Sequence, residues 1–307
     1  MVKLTLLKEE QIWGDNALYV MKKVGTEHKT TDLVAILGGI VTSDDMCILS
    51  VDYRLPVAWT ASSDTSEDVR CVNYYGEKTW GLAQNRRPAI RLAIAPEETS
   101  EITLTDLEGD EHGVIIGKYG EFPRTAVDEQ ISTQLDQLLR DKKLPQTGKN
   151  YIFDTANLDD EYADSAFRRY PEYVYKGEKY IRVSGRPNNR KDWPFCFMSA
   201  EERSKLRWVE ARKPYWVKVE PIKWYIDPSG WLVSVECISA GLQFDKRRVY
   251  KGNLENTFMN GYLKRLSKEI EVVRINEQEQ QKVLPSKVAK HSSASKEKSK
   301  NKGRGRT

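Results

Sequence analysis

The strongest constraint on the fold of this chain is a succession of β-like runs around residue 220. Tyr215–Val219 alternates apolar and polar side chains, Ile222–Ile226 continues in kind, and Trp231–Ile238 follows the turn-forming run Asp227-Pro228-Ser229-Gly230. A hairpin is written upstream as YVY-KGE-KYIRV over Tyr173–Val183, with Gly177 in its turn. Helical signals lie elsewhere. An amphipathic run over Asp15–Val24 stops at Gly25, and a short helix over Leu33–Leu37 is capped by Thr31 or Asp32 and closed by Gly38-Gly39. Ile131, Leu135, Leu138 and Leu139 share one helical face. Ser199 with Glu202 opens a helix running from Ala200 to about Val209, and Asn256 caps one with Phe258, Tyr262, Leu263 and Leu266 along one side. Ile40–Val51 turns β-like around Asp44-Asp45, Pro96–Gly113 reads as an acidic connector or edge segment, and 150–170 shows no clear period. Short strands mixed with separate helices, without regular βαβ alternation, make the fold class α+β.

Charge divides the chain. From Lys282 onward it carries nine Lys/Arg and one Glu, so a tail of net +8 follows a body of net −4. That split argues against a nucleic-acid-binding body. The end of the tail, KVAKHSSASKEKSKNKGRGRT, is almost without apolar residues and is expected to be disordered, because nothing offsets its ordering entropy. Lys298, Lys300, Lys302, Arg304 and Arg306 are candidates for non-specific phosphate contacts, but no aromatics interleave them for base stacking. A solubilising terminus explains them equally well. No run of 18 apolar residues encodes a membrane span, and MVKLTLLKEEQIW has no secretory apolar core. The expected location is cytoplasmic, or outside the cell by release without a signal peptide.

Leu55–Ala95 begins and ends with segments that read as buried, around a polar, aromatic, glycine-punctuated middle. Trp59, Ser62, Ser63, Asp64, Asn73, Tyr74, Tyr75, Trp80 and Asn85 form a candidate ligand-binding face. Tyr and Trp supply rigid contact area at low entropy cost, and Ser and Asn adapt by hydrogen bonding. The competing reading makes Trp59 and Trp80 core and the remainder solvated loop.

Four stretches resemble a domain family of unknown function found in Firmicutes and their phages. They are YKGEKYIRV, YWVKVEPIKWYID, WLVSVECISAGLQFD and NLENTFMNGYLKRLSKEI. Trp216–Trp224 matches the family's "W-V-(E/K)-V-E-P-I-K-W" strand, Trp231–Gly241 the strand ending in a small-residue turn, and Asn256–Leu263 the helix that follows. Gly117–Pro123 is similar to its "yGeYPq" opening, with Phe122 in place of the tyrosine. The closing portion of the family resembles Trp59–Ser63, Gly76 and Arg87-Pro88-Ala89-Ile90, which here lie N-terminal to the opening. The halves are therefore permuted or partly duplicated.

This resemblance implies a C-type-lectin-like fold akin to formylglycine-generating enzymes, with short mixed or antiparallel strands, peripheral helices and a disordered basic tail. It divides the chain into lectin-like portions over 1–105 and 106–281, with the tail at 282–307. It also implies that the closing portion is an exposed surface, anchored here by Arg87-Pro88-Ala89-Ile90.

No catalytic, cofactor or metal assignment follows from the residues. Formylglycine-generating relatives need paired or metal-binding cysteines, whereas Cys47, Cys71, Cys196 and Cys237 are widely separated and read as free thiols. His112, in GDEHG, reads as an exposed turn residue, and DTSED lacks the ligand count of a calcium loop. The expected function is non-enzymatic recognition of a protein or glycan surface, independent of calcium. The alternatives are an enzyme or effector with a site near Trp193, Trp224 and Arg182, and a nucleic-acid-associated factor acting through the tail.

Overall fold

The computed structural model describes residues 2–25, 29–39, 58–59, 68–72, 77–82, 88–154, 167–185, 212–245 and 254–283. The architecture is mixed, with few helices around one antiparallel sheet of nine strands. These are β1 (Leu4–Thr5), β6 (Ala93–Ile94), β7 (Thr105–Gly109), β8 (Ile115–Ala126), β9 (Gln146–Asp154), β10 (Phe167–Tyr175), β11 (Glu178–Ser184), β12 (Pro214–Ile226) and β13 (Leu232–Ser234). The order is β1-β6-β13-β12-β11-β10-β9, with β8 on β12 and β7 on β8. The expected boundary near residue 105 thus falls between strands of one sheet.

The 13-residue β12 is the spine, about 43 Å long at about 3.3 Å per residue. Along Val217–Ile226 it pairs with β8. Its other edge is shared by β11, over Pro214–Lys218, and β13, over Trp224–Ile226. The sequence reads as two strands here, and the structure makes them one. Val217 and Val219 are buried in the main core and so are Ile222 and Trp224, so the inward-facing alternation slips by one residue between the two pairs. Register shifts against β8, at Lys218/Val219 and at Pro221/Lys223, absorb that slip and keep all four side chains inside. Pro221, which has no N–H to give a ladder, sits within the irregular stretch.

Three clusters of buried side chains hold the sheet. The main core lies on one face, where Phe122, Tyr151, Phe153, Tyr170, Val217 and Trp224 meet Met259, Tyr262, Leu263, Leu266 and Ile270 of helix α6 (Phe258–Val283). Phe122 packs edge-on against Tyr151 and Phe153 at centroid distances of 5.7 and 5.9 Å. The N–H of Trp224 donates to the carbonyl of Tyr119 at 2.9 Å, so the largest buried ring leaves no polar atom unmet. The N-terminal turn of α6 is capped by Thr257, whose Oγ1 accepts from the N–H of Asn260, and not by Asn256 as expected. The helix approaches β8 closely at Gly120, at φ +69°, where an added Cβ would lie 2.5 Å from Cγ2 of Ile270. That position requires glycine on both counts.

The opposite face carries Tyr173, Tyr180 and Trp216 against Leu135 of α5 (Glu129–Arg140). Asp128 caps α5 through the N–H of Ile131 at 2.8 Å. Asp136 then accepts from Nε1 of Trp216 at 2.8 Å and from Nε of Arg182 at 3.0 Å. A third cluster gathers α1 (Glu9–Ile12) and α2 (Tyr19–Val24) over Val72, Ala93, Val114 and Val233. Leu18 stands at the N-cap of α2 and offers no side-chain cap. Asp227 of the turn after β12 replaces it: the N–H of Val20 donates to Oδ2 at 2.9 Å.

Smaller elements complete the fold. β2 (Lys29–Thr30) pairs in parallel with β14 (Glu236–Cys237). Helix α3 (Asp32–Ile36), flanked by Thr31, ends before Gly38 and Gly39 as its sequence predicts. Pro96–Gly113 forms α4 (Pro96–Thr99) and β7, which among the described residues pairs only with β8, so of the two expected readings, connector or edge segment, the edge segment holds. β9 and the start of β10 occupy a region in which no period was legible. The β-like run expected over Ile40–Val51, the helix expected from Ala200 and the disordered tail expected beyond Val283 lie outside the described residues. No helix among the described residues is long and apolar enough to cross a membrane. A mixed fold with a large antiparallel sheet agrees with the α+β class.

Candidate functional site

The aromatic-polar stretch is organised by a three-stranded sheet of β3 (Ala58–Trp59), β4 (Asp68–Val72) and β5 (Lys78–Leu82). Its middle strand is gripped on both faces. Val69 and Cys71 are buried in the main core, and Val72 in the cluster under α1 and α2. Arg70 and Lys78, on adjacent strands, both bond the carboxylate of Glu9, Arg70 through Nε at 3.2 Å. The hydrogen bond from Lys78, followed by the charges of both cations, holds the Glu9 carboxyl below its ordinary range against the opposing effect of burial. Lys78 Nζ also lies 5.7 Å from the centroid of Trp13. In register, Val72 stands opposite Lys78, so Asn73–Glu77 is the connection between two anchored strands.

The pairing brings two of the predicted positions together. Trp59 stands opposite Cys71 on β3, and Trp80 opposite Arg70 on β5, so they flank β4 at neighbouring positions. Both belong to strands and not to loops. Ser62, Ser63, Asp64, Asn73, Tyr74, Tyr75 and Asn85 lie outside the described residues, as do Lys298, Lys300, Lys302, Arg304 and Arg306 of the tail. At the end of the stretch, Ala89 and Ile90 are fully buried in the main core. Ile90 exchanges hydrogen bonds with the strand region after β14, donating to the Ser239 carbonyl at 2.8 Å and accepting from the N–H of Ile238 at 3.0 Å. The stretch is therefore tied to the body at both β4 and Ile90.

A cluster of ionisable side chains beside α6 had no counterpart in the sequence reading. Glu172 on β10 accepts from the Tyr151 hydroxyl at 2.9 Å and from Thr147 at 2.8 Å. Lys149 Nζ lies 4.8 Å from the centroid of the Tyr151 ring, and this buried ammonium makes no hydrogen bond. Burial pushes Lys149 below the ordinary lysine range, with Glu172 and Glu121 opposing. Glu269 on α6 is pushed by burial up to about 7, with Lys149 and Arg265 opposing. Burial also drives the Tyr151 hydroxyl far up, so it keeps the proton that it donates to Glu172. A lysine and a carboxyl shifted in opposite directions suit proton transfer, but the bonds from Tyr151 and Thr147 to Glu172 close within the cluster.

Elsewhere the chemistry is sparse. Among the described residues no group of three His, Cys, Asp or Glu is placed to hold a metal ion. Cys71 and Cys237 are buried free thiols, and burial pushes Cys237 up to about 12. His112 is exposed in a turn whose Asp110 carboxylate accepts its N–H at 3.0 Å and that of Val114 at 2.7 Å. Trp224 lies in the main core, whereas Arg182 joins Asp136 on the α5 side, so these two do not line one cleft.

Comparison of the chain with protein-family models finds no match. Neither the curated proteins nor the solved structures contain one.

Proposed function

We propose that this protein is a non-enzymatic recognition module that binds a protein or glycan surface through the aromatic-polar face around the β4–β5 hairpin. One observation carries the reading: β4 is clamped between two hydrophobic clusters and, with Lys78 of β5, tied to Glu9. A five-residue connection containing Tyr74 and Tyr75 is thereby hung from a rigid scaffold. Binding residues are commonly placed on such connections, since the scaffold meets the ordering cost before the partner arrives. Tyr74 and Tyr75 are the contacts expected to dominate, with Asn73 and the Ser62–Asp64 segment adding adaptable hydrogen bonds. Trp59 and Trp80 belong to the same proposed face, at register positions on the strands that flank β4. The C-type-lectin-like fold belongs to the same proposal, supported by the long strand that Trp216–Trp224 forms and by the burial of Ala89 and Ile90.

The test is a screen of glycans and candidate surface proteins with the wild-type chain beside Tyr74→Ala/Tyr75→Ala. Specific ligands that the double variant loses, at unchanged thermal stability, support the reading. A ligand retained by the variant removes this face from the site.

A further inference from the structure

Away from the hairpin, α6 and the β9–β10 pair enclose a cleft of about 600 Å³ lined by Ile152, Phe167, Arg169, Lys264, Arg265 and Lys268. Four of these six side chains are cationic. Among the described residues none of the four makes a side-chain hydrogen bond or a salt bridge, although the body as a whole carries excess negative charge. Lys264, Arg265 and Lys268 are exposed on α6 at a spacing that places them along one stretch of the helix, and Arg169 faces them from β10. Glu269, one helical turn beyond Arg265, is a carboxyl on which that cation acts, and against it the four lining cations leave the cleft with excess positive charge.

One cation is also oriented in advance. Phe167, at the start of β10, stacks on Phe258 with ring centroids 5.5 Å apart and planes 22° from parallel. The Arg265 guanidinium carbon lies 4.9 Å from the Phe167 centroid. Stacking against a ring restrains the guanidinium plane and leaves its N–H edge for a forked contact with an oxyanion. Arginine suits such a contact because its fork matches the geometry of phosphate oxygens, while the lysines add point charge around it.

The geometry points to this cleft as a binding site for the phosphate groups of a nucleotide or of a nucleic-acid strand, held by Arg265 with Arg169, Lys264 and Lys268. The site is separate from the hairpin face and from the basic tail.

Two probes distinguish the sources of phosphate: ADP, and a fluorescent oligothymidylate without a terminal phosphate. Both are titrated into the full chain at 50 mM salt. Binding of either is the expected result; ADP alone identifies a nucleotide site, and the oligonucleotide identifies the phosphodiester backbone. For the oligonucleotide, four cationic contacts predict about 50-fold weaker binding between 50 and 200 mM salt. Arg169→Gln/Lys264→Gln/Arg265→Gln/Lys268→Gln removes that dependence and the bulk of the affinity, while Lys298, Lys300, Lys302, Arg304 and Arg306 all changed to Gln leave cleft binding in place. Arg265→Lys keeps the charge but loses the fork, so it weakens binding about fivefold or more with the salt slope preserved. These cleft residues are exposed, and an unchanged melting curve verifies that the variants fold. Full affinity in the cleft variant, abolition of binding by the tail variant, or no binding of either probe overturns the assignment. So does binding that emerges only after Asp159, Asp160, Glu161 and Asp164, in the connection between β9 and β10, are neutralised.

Discussion

Replacing Glu269 by Gln should stabilise this protein, and by an amount that grows with pH. The carboxyl sits on α6 against the sheet, and its loss of water raises its pKa from 4.5 to about 7 in the folded chain. Folding therefore favours the protonated acid. Below pH 4.5 folded and unfolded chains both carry the neutral form, and the stability that goes with it is fully present. As pH rises toward 7 the unfolded chain releases the proton first, and that stability is lost as the folded group in turn titrates. At about 1.4 kcal/mol per tenfold change in proton affinity, the full loss amounts to about 3 kcal/mol above pH 7. Glutamine cannot ionise, so Glu269→Gln escapes the penalty. Urea unfolding of both proteins at pH 4, 6 and 8 should give closely similar stabilities at pH 4 and a gap in favour of the variant approaching about 3 kcal/mol at pH 8. A gap independent of pH refutes the reasoning. A variant progressively less stable than wild type as pH rises also refutes it, since the carboxylate would then be a net stabilising partner of Lys149.

Two further substitutions test the packing that positions the hairpin and the cleft. Gly120→Ala places a methyl against Ile270 at a positive φ and should cost about 2–4 kcal/mol, read from chemical unfolding; a neutral effect would show that α6 does not press on β8 there. Asp227→Ala removes the acceptor that caps α2 from across the chain and should cost about 1–2 kcal/mol, with faster amide exchange at Val20. Unaltered exchange at Val20 would sink that assignment.

What could be read in the sequence follows from where the physics is local. The Tyr173–Val183 hairpin was legible because Gly177 supplies the turn at φ +81° and its flanks alternate. The helices over Glu129–Arg140 and from Phe258 showed themselves by apolar residues at helical spacing. β12 was legible in two pieces only, because Glu220-Pro221 interrupts the alternation and the shift that repairs it lies in its pairing with β8. β9 and the start of β10 were hidden for a different reason. Lys149, Arg168, Arg169 and Glu172 break the apolar pattern, and burial of Glu172 is made tolerable by Tyr151 and Thr147, partners that no spacing rule reveals. The same distance in sequence concealed that the charge of Lys149 acts on Glu269 and that Arg169 and Arg265 line one cleft. The hairpin face was suggested by composition alone; that its middle strand is clamped on both sides emerges only from the packing of Val69, Cys71 and Val72.

The central claim is that Tyr74 and Tyr75, in the connection between β4 and β5, dominate recognition. Its most direct measurement is the affinity of the best ligand from the glycan and protein screen for wild type and for Tyr74→Ala/Tyr75→Ala, with melting curves recorded on the same samples. Two interface tyrosines at about 1.5–2 kcal/mol each predict a loss of about 100-fold or more at unchanged melting temperature. An affinity within about threefold of wild type would contradict the account.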